Sequence, residues 1–257
     1  MLNFAIQTAR DAGRILQTYL GRVQISTKGD IDLVTEADLA SEKLIIERIS
    51  SHYPRHSILA EESGVTDSVT IVPGKSDWRW IVDPLDGTTN YAHGYPCFCV
   101  SIALERAGNI EIGVIYDPNR DELFAAERGQ GVTLNDRRIR VSEVEHLNSA
   151  MLCTGFPYNV RERSNFARDF SNFTMNAQAV RRDGSAAIDL AYVACGRFDG
   201  FWEDGLNPWD IAAGVLLIQE AGGLVTDFEG QPLNIYTPKV LASNGLVHAR
   251  MMQILKT

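Results

Sequence analysis

The run Trp80-Ile81-Val82-Asp83-Pro84-Leu85-Asp86-Gly87-Thr88-Thr89-Asn90 constrains this chain more than any other stretch. Three apolar residues read as the end of a strand, and two carboxylates three residues apart follow at once. Pro84 fixes its own φ and pushes Asp83 towards an extended conformation. Gly87 lets the backbone turn sharply, and Thr88 and Thr89 add hydroxyls where backbone N–H groups are also exposed. A strand does not easily bury Asp83 without a partner, because an unpaired buried carboxylate is costly. Hard cations suit the carboxylates, and a phosphate oxygen suits both the cations and the turn amides. The plainer alternative is a strand followed by an Asp-Gly turn, a pair of residues common in turns of every kind.

The rest of the chain limits what can surround this stretch. Its 257 residues allow one large domain or two closely packed halves, with ample material for a core. A net charge of −9 argues against nucleic-acid or anionic-membrane binding. It leaves a phosphate substrate open, since bound divalent metals invert the local field. Cys97 and Cys99 lack zinc-knuckle spacing, and on a strand they would point to the same face as small buried hydrophobes. Reduced thiols and the absence of a secretory signal at the N-terminus suggest a cytoplasmic protein. No stretch approaches the ~20 apolar residues of a membrane helix.

Periodicity predicts helices over residues 2–20, 36–52, 161–176, 186–194, 208–221 and 246–255. Thr35 is a plausible N-cap with Asp38 three residues on, and Pro208 suits a first helical turn. Strands are expected at 57–60, 97–104, 110–116, 123–126, 132–134, 149–155, 178–182, 198–203 and 240–244. The block from 97 to 134 reads as an antiparallel meander. This mixture indicates an α+β or mixed α/β fold.

Glu61, Asp83, Asp86, Asp210 and Asp38 sit at strand ends or in first helical turns, where they can converge on one cleft. The simpler role for Asp38 and Asp210 is to complement a helix dipole. Gly184-Ser185 is either a capped helix entry or an anion or hydroxyl site. Oxygen-only ligands point to Mg²⁺ or Mn²⁺ rather than zinc. The reaction class they support is metal-assisted hydrolysis of a phosphate ester by an activated water.

Asp83-Pro84-Leu85-Asp86-Gly87-Thr88-Thr89-Asn90 resembles the first signature of the inositol monophosphatase family. Trp209-Asp210-Ile211-Ala212-Ala213-Gly214, running into Glu220-Ala221-Gly222-Gly223, resembles the second. Glu61-Glu62-Ser63, the segment from Asp32 to Asp38 and Gly184-Ser185-Ala186-Ala187 also match, in order. The resemblance implies a layered αβαβα sandwich of the inositol monophosphatase and fructose-1,6-bisphosphatase type. It implies a single catalytic unit over 1–257, with halves at roughly 1–145 and 146–257. It also implies a homodimer and lithium-sensitive, Mg²⁺-dependent hydrolysis of inositol monophosphate.

Carried over to this sequence, Glu61 and Asp83 would hold a first metal with the Leu85 carbonyl. Asp83, Asp86 and Asp210 would hold a second, and Glu61 would reach a third. Thr88 would help activate water, with Asp38 orienting its hydroxyl. The Gly87 and Thr88 amides would bind phosphate, while Glu203 and the turn Gly184, Ser185 and Ala186 would bind hydroxyls of the leaving group. Lys28 falls in what resembles a loop that closes on the metals. His93 is read as a structural loop residue. Arg161, Arg163, Arg181 and Arg182 are read as surface charge, with contact to a second phosphate as the alternative. Two competing readings follow: a fructose-1,6-bisphosphatase or dual-specificity sugar phosphatase, and a binding or regulatory protein that keeps the phosphatase fold.

Overall fold

A computed structural model describes all residues except 23–24, 28–32, 67–75, 157–165 and 257. Its organisation follows from the alternation along β5 (Trp78–Asp86), whose successive side chains enter two different cores. Trp80 and Val82 pack with Ile102 and Leu104 of β6 (Cys99–Arg106) against α1 (Leu2–Tyr19) and α2 (Glu36–His52). Ile81 and Ala103 point the other way, into a core shared with α5 (Ala186–Ala194) and α6 (Pro208–Glu220). A sheet with helices on both faces is the result.

That sheet has eight strands. β5 pairs in parallel with β3 (Ser57–Ala60), which carries β4 (Gly64–Thr66) at its outer edge. On the other side the antiparallel meander runs through β6, β7 (Asn109–Asp117), β8 (Glu122–Glu127), β9 (Val132–Leu134) and β10 (Arg137–Arg138). A separate short pair, β1 (Ile25–Thr27) with β2 (Leu33–Thr35), leads into α2.

The second sheet has five strands, in the order β12 (Ala179–Arg181), β11 (Met151–Thr154), β13 (Gly200–Asp204), β15 (Lys239–Ser243) and β14 (Leu224–Thr226). Cys153, Phe201, Val240 and Ala242 face α5 and α6. Leu152, Trp202 and Leu241 face outward, towards Phe173 of α4 (Phe166–Asn176) and Met251 of α7 (His248–Leu255). Helices α5 and α6 therefore lie between two sheets. Ile211 to Ile218 are all buried, as expected of a helix that is apolar all round. A Cβ on Gly214 would stand 2.5 Å from the Leu190 Cβ, so glycine is what lets these two helices close on each other. The layers run α, β, α, β, α, which is the sandwich the resemblance implies.

Two features of the central stretch differ from expectation. The strand continues past Val82 to Asp86, with its pairing to β6 irregular between Asp83 and Asp86. That irregularity accommodates Pro84, which has no N–H to give the ladder, and Ser41 Oγ donates to the Pro84 carbonyl at 2.9 Å. The Thr-Thr segment forms a single helical turn, α3 (Thr88–Ala92), where only a turn was expected. β1, β2, β4, β10 and β14 were not foreseen; two or three residues carry no periodicity, and their pairing partners define them. Among the described residues no helix is long and apolar enough to cross a membrane.

Candidate active site

The irregular end of β5 turns both of its carboxylates away from solvent. Asp83 is 1% exposed, and its Oδ1 accepts from the Leu85 N–H at 3.0 Å. Asp86 Oδ2 accepts from Ser185 Oγ at 2.6 Å and from the Ala187 N–H at 2.7 Å. Ser185 is the N-cap of α5, so the free donors of that helix hold an acid from the other sheet. Gly87 then adopts φ 94°, and a Cβ there would meet the Cys97 carbonyl oxygen at 2.8 Å. Both facts demand glycine.

Thr88 opens α3 just beyond. Its Oγ1 lies 3.1 Å from Asp38 Oδ1 and 3.0 Å from the Leu85 carbonyl, which share its one proton. Asp38 Oδ2 in turn accepts from the Thr35 N–H at 2.9 Å and the Thr35 hydroxyl at 2.5 Å, closing the capping box of α2. The dipole-complementing role expected of Asp38 and its link to Thr88 are thus both present. Asn90, the last motif residue, donates to the carbonyls of Cys97, Asp183 and Gly184, at 2.7, 2.8 and 3.2 Å. Its amide ties the β5 turn to the Gly184 turn.

The remaining acids arrive from other elements. The Glu61 N–H donates to the Val82 carbonyl at 3.2 Å, continuing the β3–β5 pairing to the strand end. Asp210 Oδ2 accepts from the Asn207 N–H at 2.7 Å in a second capping box, with Pro208 in the first turn of α6. Glu203 lies on β13 and is buried; the Gly155 N–H donates to its carboxylate. A Cβ at Gly155 would fall well inside contact distance of both Glu203 oxygens.

Glu61, Asp83, Leu85, Asp86, Gly87, Thr88, Glu203 and Asp210 border one cavity of about 220 Å³. A smaller cavity of about 80 Å³ adjoins it, sharing Asp86, Glu203 and Asp210 and adding Gly184, Ser185 and Ala186. Burial raises the Asp83 carboxyl well above the usual range, and the nearby acids Glu61, Asp86 and Asp210 raise it further. Burial raises Asp210 in the same way, with Asp86 and Glu203 adding to it. Asp86 is raised by burial against the opposing hydrogen bonds from Ser185 and Ala187. Burial pushes Glu203 up to about 8, against the opposing pull of Arg182. Among the described residues no three such groups are already drawn together as a ligand set. The donor set nevertheless fits a hard divalent cation: it is all oxygen, anionic when deprotonated, and self-repelling around Asp83.

Every residue expected to hold a metal, activate water or bind substrate, apart from Asp38, borders one of these cavities, and Asp38 stands directly behind Thr88. His93 is exposed at the end of α3 and borders neither cavity. Arg181 is exposed, whereas Arg182 borders the smaller cavity and packs over the Phe156 ring. Lys28, Arg161 and Arg163 lie outside the described residues. Sequence reasoning missed Asn207, Phe156, Leu206 and Asp189 as lining residues. Asp189 carried a signal, as an acid inside the apolar run of α5. Asn207 carried one too, as a cap residue before Pro208 with Asp210 three residues on; Phe156 and Leu206 sit on connecting segments and carried none.

The model of the inositol monophosphatase family matches residues 1–257, and the chain belongs to that family. It is 46% identical to an inositol-1-monophosphatase of Synechocystis sp., over 99% of this chain and 88% of that protein. It is 44% identical to a protein of Escherichia coli strain K12 named Nus factor SuhB, over 98% and 94% of the two chains. The crystal structure of the extragenic suppressor protein suhB from Bartonella henselae superposes with a TM-score of 0.93, at 44% identity, over 99% of this chain and 98% of that one.

Proposed function

We propose that this chain is a Mg²⁺-dependent phosphomonoesterase that hydrolyses inositol monophosphate to inositol and phosphate. The observation that carries the proposal is the gathering of Glu61, Asp83, Asp86 and Asp210, from three separate segments, around one cavity. Burying acids together is costly, and a function that uses them offsets that cost. The similarity to an inositol-1-monophosphatase names the substrate.

Glu61, Asp83, Asp86, Asp210 and the Leu85 carbonyl would hold the cations, two or three to a site, with Mn²⁺ as a substitute. When bound, these ions polarise phosphoryl oxygens and lower the pKa of water. The chain's own residues supply positioning. Thr88 Oγ1 donates to Asp38 Oδ1 and so turns a lone pair towards the attacking water. The Gly87 and Thr88 amides, at the start of α3, orient the phosphate. Glu203 and the Gly184–Ala186 turn accept and align the hydroxyls of the departing alcohol. The 1–257 chain acting as a single catalytic unit, a homodimeric assembly and inhibition by lithium belong to the same proposal.

A second reading, a regulatory role that does not depend on turnover, is favoured by the similarity to Nus factor SuhB. Phosphate release from inositol 1-phosphate and fructose 1,6-bisphosphate separates the readings, measured with Mg²⁺, with EDTA and for Asp83→Asn. Mg²⁺-dependent release, greatest on inositol 1-phosphate and lost in the variant, is the expected result. No release from either substrate favours the regulatory role.

A further inference from the structure

Asp189 has no part in the roles assigned so far. It lies on α5, 1% exposed, among residues that are otherwise apolar: Ile188, Leu190 and Ala191. Its Oδ1 is buried and has no hydrogen-bond partner among the described residues. Buried polar atoms are almost always paired, and each exception calls for a cause. Here the residue borders the smaller cavity, together with Glu203, Arg182 and Ser185. Neighbouring elements place Asp183, Glu203 and Asp86 near it as acids, and Arg182 as the opposing cation.

We propose that Asp189 is a specificity-determining residue whose free oxygen hydrogen-bonds a hydroxyl of the leaving alcohol, so that Asp189 and Glu203 together select an unphosphorylated polyol. This rests on the phosphomonoesterase reading above and narrows its substrate class. A hydroxyl can both donate and accept, so it satisfies a carboxyl group in either protonation state. A second phosphate at neutral pH brings mainly acceptors and charge. Among the described residues it would meet two buried acids and one arginine, itself exposed and packed on Phe156. The smaller cavity therefore favours a monophosphate over a bisphosphate. Burial raises the Asp189 carboxyl well above the usual range, which fits a group that waits for a hydroxyl rather than for a cation.

The test compares kcat/KM for inositol 1-phosphate with that for p-nitrophenyl phosphate, whose leaving group has no free hydroxyl beside the ester. For Asp189→Ala the ratio of the two is expected to fall about tenfold, the loss of one hydrogen bond to substrate. Asp189→Asn keeps an oxygen at the same place and is expected to retain most of the ratio. Discrimination against fructose 1,6-bisphosphate is expected to narrow in the alanine variant and hold in the asparagine one. Thermal midpoints of both variants show that they fold. A purely structural role would lower both substrates together and leave the ratio unmoved, which overturns the proposal alone. A wild-type enzyme that cleaves p-nitrophenyl phosphate but no polyol phosphate overturns the substrate reading, and this proposal with it.

Discussion

Gly155→Ala isolates the placement of Glu203. The backbone of Gly155 is not in the left-handed region, so alanine can adopt it without strain. The one new group is a methyl, and it would land inside contact distance of both Glu203 carboxylate oxygens. To reach ordinary contact the carboxylate has to retreat by more than about 1 Å, and it gives up the Gly155 N–H as it goes. A misplacement of that size costs on the order of 10²-fold in a reaction that depends on positioning. The substitution is therefore expected to lower kcat/KM for inositol 1-phosphate by roughly 10–100-fold. Most of the change is expected in KM, because in the proposed reading Glu203 meets the leaving alcohol rather than the phosphoryl group. The assay is steady-state phosphate release, with circular dichroism to confirm folding. An unchanged kcat/KM, or a loss equally large for p-nitrophenyl phosphate, refutes this role for Glu203.

Two further outcomes are expected. Thr88→Val removes the hydroxyl shared by Asp38 and Leu85; kcat for inositol 1-phosphate is expected to fall about 10²-fold with little change in KM, and a kcat within a few-fold of wild type contradicts the positioning of water by Thr88. The stability of the metal-free protein is expected to fall as pH rises. Glu203 titrates near about 8 in the folded chain, against roughly 4.3 when unfolded. Between those values the folded state keeps a proton that the unfolded state has lost, so stability declines through that window. Asp83 and Asp210, also raised, act in the same direction. The thermal midpoint without metal is thus expected to be higher at about pH 5 than at about pH 8, and Mg²⁺ to stabilise more at the higher pH. A midpoint that rises across this window contradicts the assignment of these acids as buried and mutually repelling.

Much of the site could be read before the fold was known, because its residues break local rules. An acid after a β-run, as at Asp83, or inside an apolar helix, as at Asp210, goes against burial and marks a place where burial is used. Both capping boxes were visible as Thr35 with Asp38 and as Asn207 with Asp210, although only the first was read as one. The longer helices were legible because two or more turns repeat the apolar spacing; the short strands β1, β2, β4, β10 and β14 were not. What the sequence could not disclose is the meeting of segments far apart in the chain. The seating of Asp86 on the N-terminus of α5 is one case, the closure of Gly155 on Glu203 another. Asp189 went unread because an acid in the first turn of a helix has an ordinary explanation in the dipole, even inside an apolar run; its lack of a hydrogen-bond partner among the described residues is what sets it further apart.

The central claim is that the acids brought together by β3, β5 and α6 form a divalent-cation site. Its most direct test is calorimetric titration of Mg²⁺ into metal-free protein near neutral pH, repeated in two buffers of different ionisation enthalpy. Saturable binding with net proton release is expected, since Asp83 and its neighbours give up protons to become ligands, and both signals should disappear in Asp83→Asn. No saturable binding, or binding that survives unchanged in the variant, would contradict the claim.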